Sequence, residues 1–258
     1  MSKLKFSVVL AASLMAGAAW GANDPFVGAW KLNPSKSQPT DQMKVETAGG
    51  NKFTFDFGPG AETVTADGTD QPGYGGTTLA VTLLGPDALK VVRKKEGHTV
   101  VTADWKLAED GKTLSDDFTT FAPDGSVINL KYVYQRTTAA SGFAGTWESS
   151  SAKVNFELTI KFQPYGKGGL SLISPTSDRP KDLSFDGKDY PNLSSNAPSG
   201  TTYSARRADE RSVEISDKLN GKAVDTQQYT LSSDHKTLTL SIHRAGMQTA
   251  SIYVFDRE

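Results

Sequence analysis

The chain contains 258 residues, with 28 lysines and arginines against 29 aspartates and glutamates, and it has no cysteine. The lack of cysteine excludes disulfide scaffolds, thiolate nucleophiles, iron–sulfur clusters and cysteine-based zinc sites. A formal net charge of −1 also argues against nucleic acid as a partner, because nucleic-acid-binding proteins need a basic surface that displaces counterions.

The N-terminal segment has the pattern of a secretory signal peptide. Lys3 and Lys5 precede an apolar run at 6–15, and small residues follow at 16–19. The apolar run is shorter than the ~20 residues that a membrane-spanning helix needs. We predict a signal peptide at residues 1–21, export to the periplasm or the extracellular space, and no membrane span after cleavage. A short N-terminal membrane anchor is the alternative.

Five short motifs recur in the same order in the two halves of the chain, which indicates an internal repeat. The matching pairs are residues 26–30 and 143–147, 67–72 and 186–191, 88–97 and 212–221, 110–114 and 234–238, and 132–136 and 253–257. We therefore predict two copies of one domain, residues 23–138 and 143–258. A single barrel built from both halves is the alternative.

Apolar and polar residues alternate along both copies, as expected for strands with one buried face. Residues 52–57 place three phenylalanines on one face, and turn dipeptides such as Asp110-Gly111 separate the strands. Residues 196–209 lack a clear period, and we interpret them as an extended loop. The main predicted strands are 52–57, 78–84, 88–95, 98–107, 113–121, 126–135, 154–162, 212–218, 223–231, 236–243 and 248–256.

A meander of eight or more strands leaves two exposed edges unless the sheet closes on itself. Closure into an up-and-down barrel removes those edges. We therefore predict an all-β fold with two tandem antiparallel up-and-down β-barrels. A half-barrel or an open sheet is the alternative.

Each copy begins with Gly-x-Trp and ends with an arginine. The residues are Gly28, Trp30 and Arg136 in the first copy, and Gly145, Trp147 and Arg257 in the second. This combination resembles the calycin signature of lipocalins and fatty-acid-binding proteins, and residues 28–37 are similar to the opening of lipocalin-like exported bacterial proteins of unknown function. The resemblance implies that each tryptophan plugs a barrel end beneath the arginine of its own copy, a structural role. The second copy lacks the Lys-Leu-Asn-Pro run of residues 31–34 and has Glu-Ser-Ser-Ser at 148–151 instead.

No group of residues in the sequence identifies a chemical reaction. None of the three histidines lies two or four residues from another, so we predict no metal site and no cofactor. Asp104, Asp116 and Asp117 could supply acid–base chemistry, but acids at strand ends are usually solvated, and we predict no catalytic residue. The basic runs at 93–95 and 206–207 are interpreted as solvated strand ends.

The sequence therefore favours a binding protein over an enzyme, with a small apolar or amphipathic molecule held in one or both barrels. An enzyme that uses a barrel pocket and a cell-envelope interaction module with filled barrels are the alternatives. Candidate ligand contacts are inward-facing aromatic and aliphatic residues together with two tyrosines of glycine-rich loops. They are Phe53, Phe55, Phe57, Tyr74, Trp105 and Tyr132 in the first copy, and Phe156, Leu158, Ile160, Tyr165 and Tyr253 in the second.

Overall fold

The computed structural model describes residues 24–58, 60–154 and 156–258, so the predicted signal peptide at 1–21 lies outside the described residues. The fold is all-β, and its helical content in these ranges is two short 3₁₀ turns, Pro34–Lys36 and Tyr74–Gly76. In these same ranges, no helix has the length and hydropathy required to cross a bilayer.

The strands are numbered β1 to β20 in chain order. They are β1 Gly28–Leu32, β2 Gln42–Thr47, β3 Lys52–Asp56, β4 Ala61–Thr65, β5 Gln71–Pro72, β6 Thr77–Leu83, β7 Ala88–Lys95, β8 His98–Leu107, β9 Thr113–Phe121, β10 Val127–Arg136, β11 Gly145–Val154, β12 Thr159–Tyr165, β13 Gly169–Ile173, β14 Lys181–Leu183, β15 Tyr190–Pro191, β16 Thr201–Asp209, β17 Ser212–Leu219, β18 Lys222–Leu231, β19 Thr237–Arg244 and β20 Ser251–Arg257.

The strands form two antiparallel, curled sheets of ten strands each. The N-terminal sheet has the order β4-β3-β2-β11-β10-β9-β8-β7-β6-β5, and the C-terminal sheet has the order β14-β13-β12-β1-β20-β19-β18-β17-β16-β15. Apart from β1 and β11, each sheet is an up-and-down meander of sequential strands, which is the predicted arrangement.

The first strand of each sequence repeat belongs to the sheet of the other repeat. Strand β1 pairs with β12 and β20, and β11 pairs with β10 and β2. The chain passes from one sheet to the other between β1 and β2, and again between the end of β11 at Val154 and the start of β12 at Thr159. The sheets therefore do not coincide with the ranges 23–138 and 143–258, although the repeat is visible within each.

Both sheets curl until their edges approach one another. In the N-terminal sheet, the Gly68 amide donates to the Val81 carbonyl at 2.8 Å, which joins the end of β4 to β6. In the C-terminal sheet, the Gly187 amide donates to the Ala205 carbonyl at 3.2 Å. These contacts make each sheet barrel-like and near-closed, because they cover the edges that a flat meander would leave open.

Each sheet surrounds its own apolar core, and the exchanged strands contribute to both. Trp147 and Phe143 are buried in the core of the N-terminal sheet, whereas Trp30 and Phe26 are buried in the core of the C-terminal sheet. Phe156, on the second crossing segment, packs against both cores. The two halves are thus joined by the packing of side chains as well as by the chain itself.

The expected pairing of each tryptophan with the arginine of its own repeat was wrong because of this exchange. The Arg257 guanidinium lies over the Trp30 ring, and that of Arg136 lies over the Trp147 ring. Glycine is required at the motif's first position, since Gly28 has φ +142° and a Cβ there would approach Arg257 Nη1 to 2.9 Å.

Most predicted strand boundaries agree with the structure within one or two residues, and two predictions were wrong. Residues 154–162 do not form one strand, because β11 ends at Val154 and the chain then crosses to the C-terminal sheet before β12 begins at Thr159. Residues 196–209 are not an extended loop throughout, since Thr201–Asp209 forms strand β16 and pairs with β17.

Candidate functional site

A cavity of about 300 Å³ lies within the N-terminal sheet. Its walls come mainly from β7, β8, β9 and β10, while Val224, Asp225 and Arg244 of the C-terminal sheet border it on one side. Aromatic rings form much of the lining, namely Phe57, Tyr74, Trp105, Phe118, Tyr132 and Tyr134. The volume is at the lower end of the range for small-molecule sites, about 300–1,000 Å³.

Asp116 is a buried carboxyl on the inner face of β9. Strand alternation places it between Leu114 and Phe118, and the pairing register puts Trp105 of β8 on one side and Tyr132 of β10 on the other. Asp116 is 4 % exposed and Trp105 is 3 % exposed. Among the described residues, neither Asp116 Oδ1 nor Trp105 Nε1 has a hydrogen-bond partner, although both residues line the cavity.

Burial raises the pKa of the Asp116 carboxyl well above its ordinary value. The Trp105 indole N–H faces the carboxyl and opposes this shift as a hydrogen-bond donor would, whereas the negative charge of Asp41 and other carboxylates adds to it. Desolvation dominates because a charged carboxylate loses its hydration when it is enclosed by aromatic and aliphatic side chains. Asp116 and Trp105 thus face each other across neighbouring strands, but neither Asp116 Oδ1 nor Trp105 Nε1 forms a hydrogen bond of normal geometry with any described residue.

One side of the cavity is closed by an ion pair that joins the two sheets. Arg244 of β19 pairs with Asp41, the residue before β2. The Tyr134 hydroxyl donates to the other carboxylate oxygen of Asp41 at 2.7 Å. Each oxygen of this carboxylate thus accepts a hydrogen bond, and the ion pair joins the C-terminal sheet to the wall of the cavity.

A second ion pair, Arg93 with Glu62, lies at another part of the wall. Both side chains are buried, and Arg93 Nη2 approaches Glu62 Oε2 to 2.5 Å. Arg93 also donates to the Thr77 hydroxyl at 2.8 Å, and its guanidinium lies 4.2 Å from the centre of the Tyr74 ring. Arg93 is therefore not a solvated strand end, and its charge is already neutralised within the protein.

The prediction of solvated strand ends was also wrong for Arg207. Its guanidinium pairs with Asp24 and lies 4.9 Å from the centre of the Phe185 ring and 5.5 Å from that of Phe26. The neighbouring Arg206 does lie at the surface, where it forms a bidentate pair with Glu214.

Asp225 also lines a second space of about 320 Å³, whose other lining residues are largely polar and come, apart from Tyr74, from the C-terminal half of the chain. Burial raises the pKa of Asp225 to about 6, and the negative charge of Asp217 adds to the shift. Lys181 Nζ binds both carboxylate oxygens of Asp217, at 2.7 and 2.6 Å, whereas Asp225 accepts a hydrogen bond from Gln227 at 3.1 Å.

A further cavity of about 290 Å³ lies within the C-terminal sheet, and its lining is mostly aliphatic and aromatic. Leu130 borders both this cavity and that of the N-terminal sheet. The polar residues at its edge include Arg179, Lys181 and Gln227. This space suits an apolar molecule and offers less specific recognition than the cavity around Asp116.

The structure brings together most of the residues predicted as ligand contacts. Phe57, Tyr74, Trp105 and Tyr132 line the cavity of the N-terminal sheet, and Phe156, Leu158, Ile160 and Tyr253 line that of the C-terminal sheet. Phe53 and Phe55 are buried in the N-terminal core, and Tyr165 is 41 % exposed at the end of β12.

The sequence interpretation missed Asp116, Arg244 and Asp41 as cavity residues. Strand parity could have identified Asp116, because it alternates with Leu114 and Phe118, whereas Asp117 points to the outer face and pairs with Lys131. Arg244 and Asp41 are joined only by the packing of one sheet against the other, which sequence periodicity does not encode.

Within residues 24–58, 60–154 and 156–258, no cluster of three histidine, aspartate or glutamate side chains could hold a metal ion. A scan against protein-family models and a search of curated proteins each found no match to this chain.

Proposed function

We propose that this is an exported, lipocalin-like protein that binds a small amphipathic molecule in the cavity of the N-terminal sheet. One observation carries the proposal: the aromatic cavity is lined by two residues with buried polar atoms, Asp116 Oδ1 and Trp105 Nε1. Neither atom has a hydrogen-bond partner among the described residues. An unpaired buried polar group costs ~1–3 kcal/mol. A ligand that supplies the missing hydrogen bonds gains that free energy in addition to apolar contact.

The cavity of the C-terminal sheet supports a second binding position for an apolar molecule or for an apolar extension. Its lining of Phe156, Leu158, Ile160 and Tyr253 is apolar except at the edge. Cavities near 300 Å³ in both sheets favour ligand binding over the alternative of an interaction module with filled barrels.

Export and lipocalin-like character are parts of the same proposal. The charged and apolar pattern at 1–21 supports export, and the arginine packed over the tryptophan of each Gly-x-Trp motif supports the family resemblance. The three histidines, the most common acid–base groups near neutral pH, are exposed and do not line the cavity, so the proposal assigns them no role there.

Native mass spectrometry of the protein purified from the cells that produce it tests the proposal directly. We expect a small molecule that is retained under native conditions and released on denaturation. Calorimetric titration with 2-phenylethanol, which carries both a donor and an acceptor, should also give a saturable heat. A protein that carries no additional mass and gives no heat of binding would contradict the proposal.

A pair of substitutions on β8 locates the binding to the cavity. Ala103 is buried and lines the cavity, whereas Thr102 lies on the opposite face of the same strand. Ala103→Leu should reduce the binding of 2-phenylethanol by filling space, and Thr102→Leu should leave it unchanged. Equal effects of the two substitutions would place the binding elsewhere.

A further inference from the structure

The ionisable side chains that line the cavity of the N-terminal sheet do not all have an oppositely charged partner. Arg93 is neutralised by Glu62, and Arg244 is neutralised by Asp41. Asp116 has no cationic partner in the described part of the chain, and its Oδ1 accepts no hydrogen bond there. Asp116 Oδ1 therefore lacks a hydrogen-bond donor, and a positively charged donor meets that requirement best.

The rings around Asp116 suit the same kind of group. Trp105 and Tyr132 are its neighbours across the two adjacent strands. Phe57 meets Trp105 edge to face with ring centres 6.2 Å apart, and Phe118 meets Tyr132 in the same way at 6.4 Å. Aromatic faces attract cations by ~0.5–2 kcal/mol and also provide apolar contact, so a cation enclosed here is stabilised by carboxylate and rings together.

We infer that the cavity of the N-terminal sheet selects an organic ammonium compound, whose nitrogen pairs with Asp116 and whose apolar part contacts the surrounding rings. This inference rests on the proposed binding function and narrows it to one chemical class. A primary or secondary ammonium fits best, because it brings N–H donors to the unpaired Oδ1 as well as charge.

Other occupants fit the same residues less well. An anion would approach Asp116 and Asp225, while both arginines are already paired with carboxylates. A metal ion would need several oxygen or nitrogen ligands, and the described residues offer no such cluster. A neutral alcohol could donate to Asp116 and accept from Trp105, but only a cation offsets the burial that raises the pKa of Asp116 and so stabilises the ionised carboxylate.

Calorimetric titration with three compounds of similar shape tests the inference. The probes are 2-phenylethylamine, which is an ammonium ion at pH 7, the neutral 2-phenylethanol and the anionic phenylacetate. We expect the amine to bind at least about tenfold more tightly than the alcohol, because a charge-assisted hydrogen bond exceeds a neutral one by about 1.4 kcal/mol or more. Phenylacetate should bind most weakly.

Substitutions of two neighbouring acids on β9 identify the group responsible. Asp116→Asn keeps the shape and removes the charge, so the amine should lose its advantage over the alcohol. Asp117→Asn is the matched control, because Asp117 lies on the outer face and pairs with Lys131; this variant should keep the preference. A thermal melt of each variant establishes that it is folded.

The outcomes separate this inference from the proposed function. If the wild-type protein binds amine and alcohol equally, or if the preference persists in Asp116→Asn, the inference is overturned while ligand binding stands. If none of the three compounds binds to the wild-type protein, both the inference and the binding function are contradicted. The wild-type ratio of amine to alcohol affinity decides the question even if a variant fails to fold.

Discussion

The guanidinium of Arg257 lies 4.1 Å from the centre of the Trp30 ring, so side chains from the first and last strands of the fold pack together in one sheet. Arg257 also donates to the carbonyl oxygens of Pro25, Val27 and His235. The equivalent arginine, Arg136, lies over the ring of Trp147 at 4.5 Å. The same packing therefore occurs once in each sheet, between the arginine of one repeat and the tryptophan in the first strand of the other repeat.

Engineered disulfides should report this exchange of strands, because the chain has no cysteine of its own. Lys31 and Asp256 are direct partners in neighbouring antiparallel strands, a separation that a disulfide can span. We expect the double variant Lys31→Cys/Asp256→Cys to form an intramolecular disulfide under mild oxidation. Non-reducing electrophoresis and mass spectrometry of peptides would detect it.

The control places the second cysteine at the equivalent residue of the first repeat, Gln135. If β1 lay in the sheet of its own repeat, Lys31 would face Gln135, as Glu148 faces Gln135 in the structure. With exchanged strands, Lys31→Cys/Gln135→Cys should remain reduced within the monomer. A disulfide in this variant and none in the first would contradict the exchange.

Substitution of Trp30 should destabilise the protein strongly. Its side chain is fully buried, and Nε1 donates to the Phe26 carbonyl at 2.9 Å. Trp30→Ala should lower the free energy of unfolding by ~3–5 kcal/mol, as the loss of a buried aromatic side chain does. Lys31→Ala, an exposed change on the same strand, should cost less than about 0.5 kcal/mol. Urea denaturation would contradict the assignment if both variants had the midpoint of the wild-type protein.

Two adjacent basic residues of β7 should differ sharply in their effect on stability. Arg93→Ala leaves Glu62 buried without its partner and should cost ~3–5 kcal/mol. Lys94 pairs with Asp70 in a more exposed position, and Lys94→Ala should cost ~0–1 kcal/mol. The comparison uses the free energy of unfolding of each variant at pH 7, and similar values for the two would argue against a buried ion pair.

Asp225 should make the protein less stable as pH rises from about 4 to 6. Its pKa in the folded protein is about 6, above the ~3.9 of an unfolded chain. In that interval the folded state therefore holds a proton that the unfolded state has lost. Asp217 favours the protonated form, whereas Lys181 and Arg244 oppose it.

The matching variant is Asp225→Asn, which removes the titrating group. The difference in unfolding free energy between variant and wild type should increase from pH 4 to 6 in favour of the variant, and then stay constant. Measuring the difference cancels the contributions of other carboxyl groups. A difference that does not change with pH would show that Asp225 titrates normally.

Local features of the fold could be predicted from sequence because they depend on neighbouring residues. Alternation along 98–107 and 113–121 defined β8 and β9, and the glycine turn at 110–111 separated them. The exchange of β1 and β11 could not be derived in this way, since both repeats carry the same Gly-x-Trp motif and either arginine is a compatible partner for either tryptophan.

In the candidate site, too, features set by strand alternation could be predicted, whereas those set by sheet packing could not. The aromatic lining followed from strand parity, which placed Trp105 and Tyr132 on inner faces. Asp116 has the same parity, but the general tendency of acids to be solvated led to the opposite expectation. Arg244 borders the cavity only because the two sheets pack together.

The indole N–H resonance of Trp105 tests most directly whether this cavity is a binding site. In a proton–nitrogen correlation spectrum, assigned with Trp105→Phe, addition of 2-phenylethylamine should shift the Trp105 signal. The signals of Trp30 and Trp147, whose N–H groups already donate to the carbonyls of Phe26 and Phe143, should remain in place. A Trp105 signal that stays unchanged at saturating ligand, or equal shifts of all three signals, would contradict the account.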